Sequence, residues 1–133
     1  MLVIDDHSTM REGISAVVNA QPDMIIAGEA SDGQQAMERF RSLRPDVTLL
    51  DWNLPDVRGE QILASLRADF PTARFIVITA VTEDECIRRA LRLGALSFLH
   101  KDMLRRELLP AIRAVHAGHP YLPAEIANRL RQN

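Results

Sequence analysis

Short apolar runs alternate with amphipathic stretches along the whole chain, and this alternation limits the fold more than any other feature. LVID (2–5), MIIAGE (24–29), VTLLD (47–51), FIVITA (75–80) and ALSFLHK (95–101) read as strands. They are largely continuous rather than strictly alternating, as strands covered on both faces are. Between them, apolar residues recur at helical spacing. Met10, Ile14, Val17 and Val18 share a stripe in 9–20, and Ala36, Met37, Phe40 and Leu43 share one in 33–43. Ile62, Leu63 and Leu66 do so in 59–69, Ile87, Ala90 and Leu91 in 83–93, and Leu108, Leu109, Ile112 and Val115 in 104–117. Pro22, Pro45 and Pro71 end helices, and Gly94 stands just past the fourth, where a C-terminal glycine belongs. Pro110 falls inside the fifth pattern and is expected to kink that helix or delay its start. Strict βα alternation with short connections implies a doubly wound parallel α/β sheet with helices on both faces. After Gly118 the pattern changes to a turn and a short sixth helix with Pro123 at its first position.

Composition excludes several classes. The chain has 133 residues, enough for one domain with a real core. Its net charge of -2 gives no electrostatic reason to expect a nucleic-acid or membrane surface. Cys86 is the sole cysteine, so no internal disulfide can form, and a reducing compartment is the expectation. No apolar run approaches membrane-spanning length and none reads as a signal peptide, so the expected location is cytoplasmic.

In open α/β sheets, ligands bind beyond the carboxyl ends of the strands. The first strand ends in Asp5-Asp6, the third in Asp51, the fourth in Thr79-Ala80 and the fifth in His100-Lys101. The second ends in Gly28-Glu29 and is expected at an edge, away from the others. Three clustered carboxylates cannot all stay ionised at neutral pH without a cation. An all-oxygen set with open positions suits Mg²⁺, which often bridges to phosphate. A carboxylate in such a place can attack an electrophilic phosphorus and form an acyl phosphate. Lys101 and Thr79 would then supply donors to the phosphoryl oxygens, and Ala80 would leave room beside them.

Each residue alone has a plainer explanation. An Asp pair ahead of a helix ordinarily serves the helix dipole. Asp51 could open a turn with Pro55, and a strand-end threonine is usually structural. A lone lysine is usually a solvated surface group. Lys101, however, is the sole lysine among 16 basic residues, so the position selects an ammonium where the rest of the chain uses guanidinium. The joint pattern, with each group at a strand end, carries the weight.

Asp5-Asp6, Asp51 with Pro55 and Gly59, Thr79-Ala80 and Lys101 together resemble the response-regulator receiver domain of bacterial two-component systems. The resemblance covers residues 2–117. VIDDHSTMREGI, AGEASDGQQAM, RPDVTLLD, LGALSFLHKD and AIRAVHAGHPYLP are similar to the NarL/FixJ subfamily, the LuxR type. It implies a flavodoxin-like sheet in the order 2-1-3-4-5, with 1–117 as receiver and 118–133 as linker and short helix. It implies Asp51 as phosphoacceptor, Asp6 and Asp51 as direct Mg²⁺ ligands, Asn53 adding its backbone carbonyl, and Asp5 acting mainly through water. Lys101 would pair with the carboxylate and then the phosphoryl group; Thr79 would swing toward it and Phe98 would follow inward. The domain would signal rather than act as an enzyme, beyond its own phosphorylation and dephosphorylation. Its expected partners are a histidine kinase, a second copy, and its own C-terminal DNA-binding domain in a longer transcription regulator, since AGHPYLPAEIANRL resembles the linker leading into one. No direct nucleic-acid or membrane contact is expected from 1–133.

Phe98 could equally be plain core. His100 departs from the apolar residue expected before the lysine and could be a surface residue, a weak perturbation of the site or a partner contact. Trp52 could report on the site or simply pack over its rim. A dehalogenase-like phosphatase would need a second Asp where Asn53 stands. A flavodoxin-like cofactor binder would need a Ser/Thr/Gly-rich first loop rather than two aspartates. A phosphorylation-independent interaction module of the same fold stays open as the alternative.

Overall fold

A computed structural model describes residues 1–80 and 83–131. Five parallel strands form one sheet: β1 (Leu2–Ile4), β2 (Gly28–Ala30), β3 (Thr48–Asp51), β4 (Phe75–Thr79) and β5 (Ser97–His100), in the order β2-β1-β3-β4-β5. Helices α1 (Ser8–Asn19), α2 (Gly33–Leu43), α3 (Gly59–Asp69), α4 (Asp84–Arg92) and α5 (Leu104–His116) alternate with them, and α6 (Ala124–Arg131) follows. The central strands β1, β3 and β4 are buried at every residue, which explains their unbroken apolar runs. Thr48↔Phe75 and Ile76↔Ser97 are among the register pairs that align the carboxyl ends of β3, β4 and β5 at one rim.

Several boundaries differ from the sequence expectation. The second strand begins at Gly28 rather than Met24 because its partner β1 starts at Leu2, opposite Gly28. Ile25, placed outside that ladder, is 70% exposed. The α1 and α2 stripes are narrower than read: Ile14, Val18, Ala36 and Phe40 are buried, while Val17 and Leu43 are 45% and 40% exposed. Pro110 does not delay α5, which starts at Leu104 and is continuous through it. The proline lies on the exposed side of the helix, so the carbonyl one turn earlier can turn to water instead of the missing N–H. Gly94 has φ of +104°, and the Ala95 amide donates to the Ala90 carbonyl at 3.0 Å, closing α4 as the sequence implied.

The sixth helix is present and docked. Positions 132 and 133 of its pattern lie outside the described residues. Ile126 is buried in the core, and the Tyr121 amide donates to Leu96 at the edge of β5. Arg129 pairs with Asp84 of α4 at 2.7 Å, and Arg106 of α5 pairs with Glu125 at 3.0 Å. The C-terminal segment therefore lies across the side of the molecule built by α4, β5 and α5.

Candidate functional site at the carboxyl ends of the strands

Four of the five strands deliver polar residues to one rim, while the edge strand β2 stands apart. Asp5 and Asp6 follow directly on β1. Asp5 is fully buried, and its Oδ1 accepts from the His7 amide at 2.8 Å and lies 3.0 Å from His7 Nδ1. Asp51 closes β3 at 2% exposure, and its Oδ1 accepts the Asn53 amide at 3.0 Å. The turn that provides this amide is fixed by Gly59, whose N–H donates to the Trp52 carbonyl at 2.9 Å. A Cβ at Gly59 would lie 2.7 Å from the Asp51 carbonyl oxygen, so the close approach requires glycine.

Lys101 starts a single 3₁₀ turn, Lys101–Met103, after β5. Its ammonium lies 2.9 Å from Asp5 Oδ2 and 3.2 Å from Asp51 Oδ2, joining β1 and β3 to β5 across the end of β4. Thr79 ends β4 and is buried; its Oγ1 lies 3.2 Å from Asn53 Nδ2, which donates to it. Asp5, Asp51, Asn53, Thr79 and Lys101 are thus one connected polar network. Asp6 is more exposed and joins through His7, whose Nδ1 is 3.2 Å from its Oδ1. Ala80 borders the rim as the exposed residue after Thr79. Phe98 lies outside the network, fully buried in the core, and Trp52 also packs there.

The charges are tuned by this geometry. Burial pushes the Asp51 carboxyl up, and the nearby Asp5 carboxylate adds to this; the Asn53 amide and Lys101 only partly oppose it. For Lys101, burial works against the ammonium, but its hydrogen bond to Asp5 and the charges of Asp51 and Asp5 prevail, leaving it above the ordinary lysine value. The site therefore holds a firmly charged cation beside a carboxylate whose ionisation is resisted. A further cation would relieve that resistance. Ligand atoms of Asp5, Asp6, His7 and Asp51 all lie within 4.8 Å of one another, close enough to share one ion. The donors are mainly carboxylate oxygens, the set that a hard divalent ion prefers.

Two neighbours were not assigned roles from sequence. His7 joins the acidic cluster directly, and its only sequence signal was its place after the Asp pair. His100 departs from the apolar residue expected before the lysine; its ring meets the Ala80 carbonyl beyond β4 at 2.9 Å and the Asp102 amide, two residues on, at 3.0 Å.

With this geometry in place, comparison with known proteins is informative. The family model of the response regulator receiver domain matches residues 1–113. The chain is 38% identical over 122 residues to the nitrate/nitrite response regulator protein NarL of Escherichia coli K12, covering 92% of this chain and 56% of that protein. It is 34% identical over 130 residues to the transcriptional regulatory protein LiaR of Bacillus subtilis, covering 98% and 62%. The chain thus spans roughly half to three fifths of the length of these relatives. Among solved structures, the signal receiver domain of the response regulator NarL from Mycobacterium tuberculosis superposes with a TM-score of 0.83 at 35% identity, covering 89% and 95% of the two chains. A LuxR-family two-component response regulator from Aurantimonas sp. SI85-9A1 reaches a TM-score of 0.93 at 27% identity, covering 98% and 94%.

Proposed function

The chain belongs to the response regulator receiver domain family, and from that membership and the rim geometry we propose that it is a phosphorylation switch centred on Asp51. The observation that carries this reading is the pairing of Asp51 with Lys101 at 3.2 Å inside a cluster of three aspartates. A phosphohistidine on a histidine kinase is the donor. An Asp51 carboxylate oxygen attacks phosphorus, the P–N bond breaks, and the electron pair returns to the imidazole of the kinase. The product is an acyl phosphate at Asp51. Water later attacks phosphorus, the P–O bond to Asp51 breaks, and the carboxylate and inorganic phosphate are released.

Asp6 and Asp51 would hold Mg²⁺ directly, with the Asn53 carbonyl, and Asp5 mainly through water. Asp5 fits the indirect role because Lys101 and His7 already engage both of its oxygens. The ion would supply charge neutralisation for the carboxylate and the incoming phosphoryl oxygens. Lys101 then donates to one phosphoryl oxygen in place of Asp51 Oδ2. Thr79 exchanges its bond with Asn53 for one to another oxygen, and the small Ala80 side chain leaves space for that movement. Phe98, buried on the neighbouring strand, adjusts its packing in response.

The readout lies where α6 rests on α4, β5 and α5. Movement at Thr79 and Lys101 is transmitted to the strands and turns that this helix covers, altering a contact with a second copy or with a C-terminal output domain. In a longer protein this controls transcription, as the name of LiaR, a transcriptional regulatory protein, says of that relative. Borohydride reduction after incubation with a phosphorylated histidine kinase tests the assignment. It should convert residue 51 alone to homoserine; homoserine at another aspartate would reassign the acceptor.

A further inference from the structure

His100 occupies a position that the switch described above does not use. It is the cross-strand partner of Thr79 in the β4–β5 ladder and the chain neighbour of Lys101. Its Nδ1 accepts from the Asp102 amide at 3.0 Å and also lies 3.3 Å from the Asp102 carboxylate; the tautomer that satisfies the amide leaves Nδ1 without a proton. The proton of the neutral ring is then on Nε2, which lies 2.9 Å from the Ala80 carbonyl and donates to it. One ring thus joins the carbonyl just beyond Thr79 to the amide just beyond Lys101. These two bonds flank the two side chains that face the phosphoryl oxygens.

We propose that His100 is a positioning residue that clips the end of β4 to the turn after β5, holding Thr79 and Lys101 at a fixed separation for phosphoryl transfer. This rests on the phosphorylation reading of Asp51. The physical ground is preorganisation: donors held in place before reaction need no reordering when charge develops on the phosphoryl oxygens. An aliphatic residue at this position could fill the same space but could make neither bond. Ala80 is exposed, so without His100 its carbonyl turns to water at little cost. The clip therefore contributes to the reaction more than to folding.

Three variants of the 133-residue chain separate the two bonds. His100→Leu removes both. His100→Asn keeps an acceptor where Nδ1 stands but cannot reach Ala80. His100→Gln places an amide N–H where Nε2 stands. The initial rate of phosphorylation by acetyl phosphate with Mg²⁺ is followed by intact mass, and the Ala80 carbonyl ¹³C shift by NMR. His100→Leu and His100→Asn should each slow the rate about fivefold, the equivalent of the one hydrogen bond to Ala80 that both lose, and move the Ala80 carbonyl signal. His100→Gln should restore the signal and bring the rate back within about twofold. Thermal melting should be nearly the same for all four chains. Equal rates in all four would overturn the proposal, as would a carbonyl signal that ignores the substitutions, or a His100→Gln chain that restores the signal but not the rate. A parent chain that takes no phosphoryl group from acetyl phosphate or from a kinase overturns the reading of Asp51 itself, and this proposal falls with it.

Discussion

Lys101 reaches Asp51 across the end of an intervening strand, its ammonium 3.2 Å from Asp51 Oδ2. β3 and β5 do not touch in the sheet; β4 separates them. The pair therefore exists only because parallel strands in one register end at one level, and because the chain after β5 turns back at once in a 3₁₀ turn. An ammonium at this position offers a compact charge to whatever oxygen lies on Asp51. Lys101→Met should lower the phosphorylation rate by about tenfold or more, the worth of a charge-assisted hydrogen bond. Lys101→Arg should not restore it, since the guanidinium fork is larger and directs its donors differently. Initial rates of mass gain measure both.

Burial raises the Asp51 carboxyl above its ordinary value. The folded chain thus holds this proton more tightly than the unfolded chain does. The stabilisation that results is fully present below the unfolded carboxylate range and is lost as pH rises through the raised folded value. An ionised Asp51 is a burden on the fold. Asp51→Asn should raise the melting temperature at pH 7, with the difference shrinking as pH falls and vanishing in acid. Melting curves across pH 3 to 8, in about unit steps, check the sign.

Mg²⁺ should offset the same burden. A ligand bound only by the folded chain stabilises it by about 2.7 kcal/mol at one hundred times its Kd. The melting temperature should therefore climb with added Mg²⁺ in the parent chain, and much less in Asp51→Asn and Asp6→Asn. A titration in which all three climb equally would place the ion elsewhere.

Gly59 holds the turn behind Asp51. A Cβ there meets the Asp51 oxygen at 2.7 Å and the Trp52 Cα at 2.8 Å, both backbone atoms that cannot rotate away. Gly59→Ala should cost about 1–3 kcal/mol, the usual penalty of overpacking. Denaturant unfolding measures the cost.

The sixth helix is held mainly by Ile126, flanked by the Arg129–Asp84 and Arg106–Glu125 pairs. Exposed ion pairs contribute little, so the apolar anchor decides. Ile126→Ala should release the helix locally: amide exchange should quicken across 124–131 while β1, β3 and β4 stay protected. Uniform acceleration across the chain would show that the helix is integral to global stability.

Much of this was legible in the sequence because doubly covered strands leave continuous apolar runs. VTLLD and FIVITA gave β3 and β4 nearly to the residue, and the polar group ending each run marked the rim. The edge was less legible. MIIAGE reads as a strand from Met24 and lies at the edge as expected, yet only Gly28–Ala30 pair, because the reach of β1 and not local apolarity sets that strand's length. Val17 and Leu43 sit on helical stripes wider than the surface that covers them. The His7 and His100 contacts were hidden for a different reason. The His7 ring meets the carboxylates of its own neighbours Asp5 and Asp6, and the His100 ring meets the backbone of β4's end; both depend on where a ring nitrogen is aimed, which spacing along the chain does not record.

The most direct measurement is intact mass after incubation with acetyl phosphate, with and without Mg²⁺, for the parent chain and Asp51→Asn. A phosphorylation switch at Asp51 predicts the gain of one phosphoryl group in the parent chain with Mg²⁺, and no gain when either the ion or the carboxylate is removed. An equal gain in Asp51→Asn, or no gain in the parent chain even with a phosphorylated histidine kinase as donor, would contradict it and leave an interaction module that works without phosphorylation.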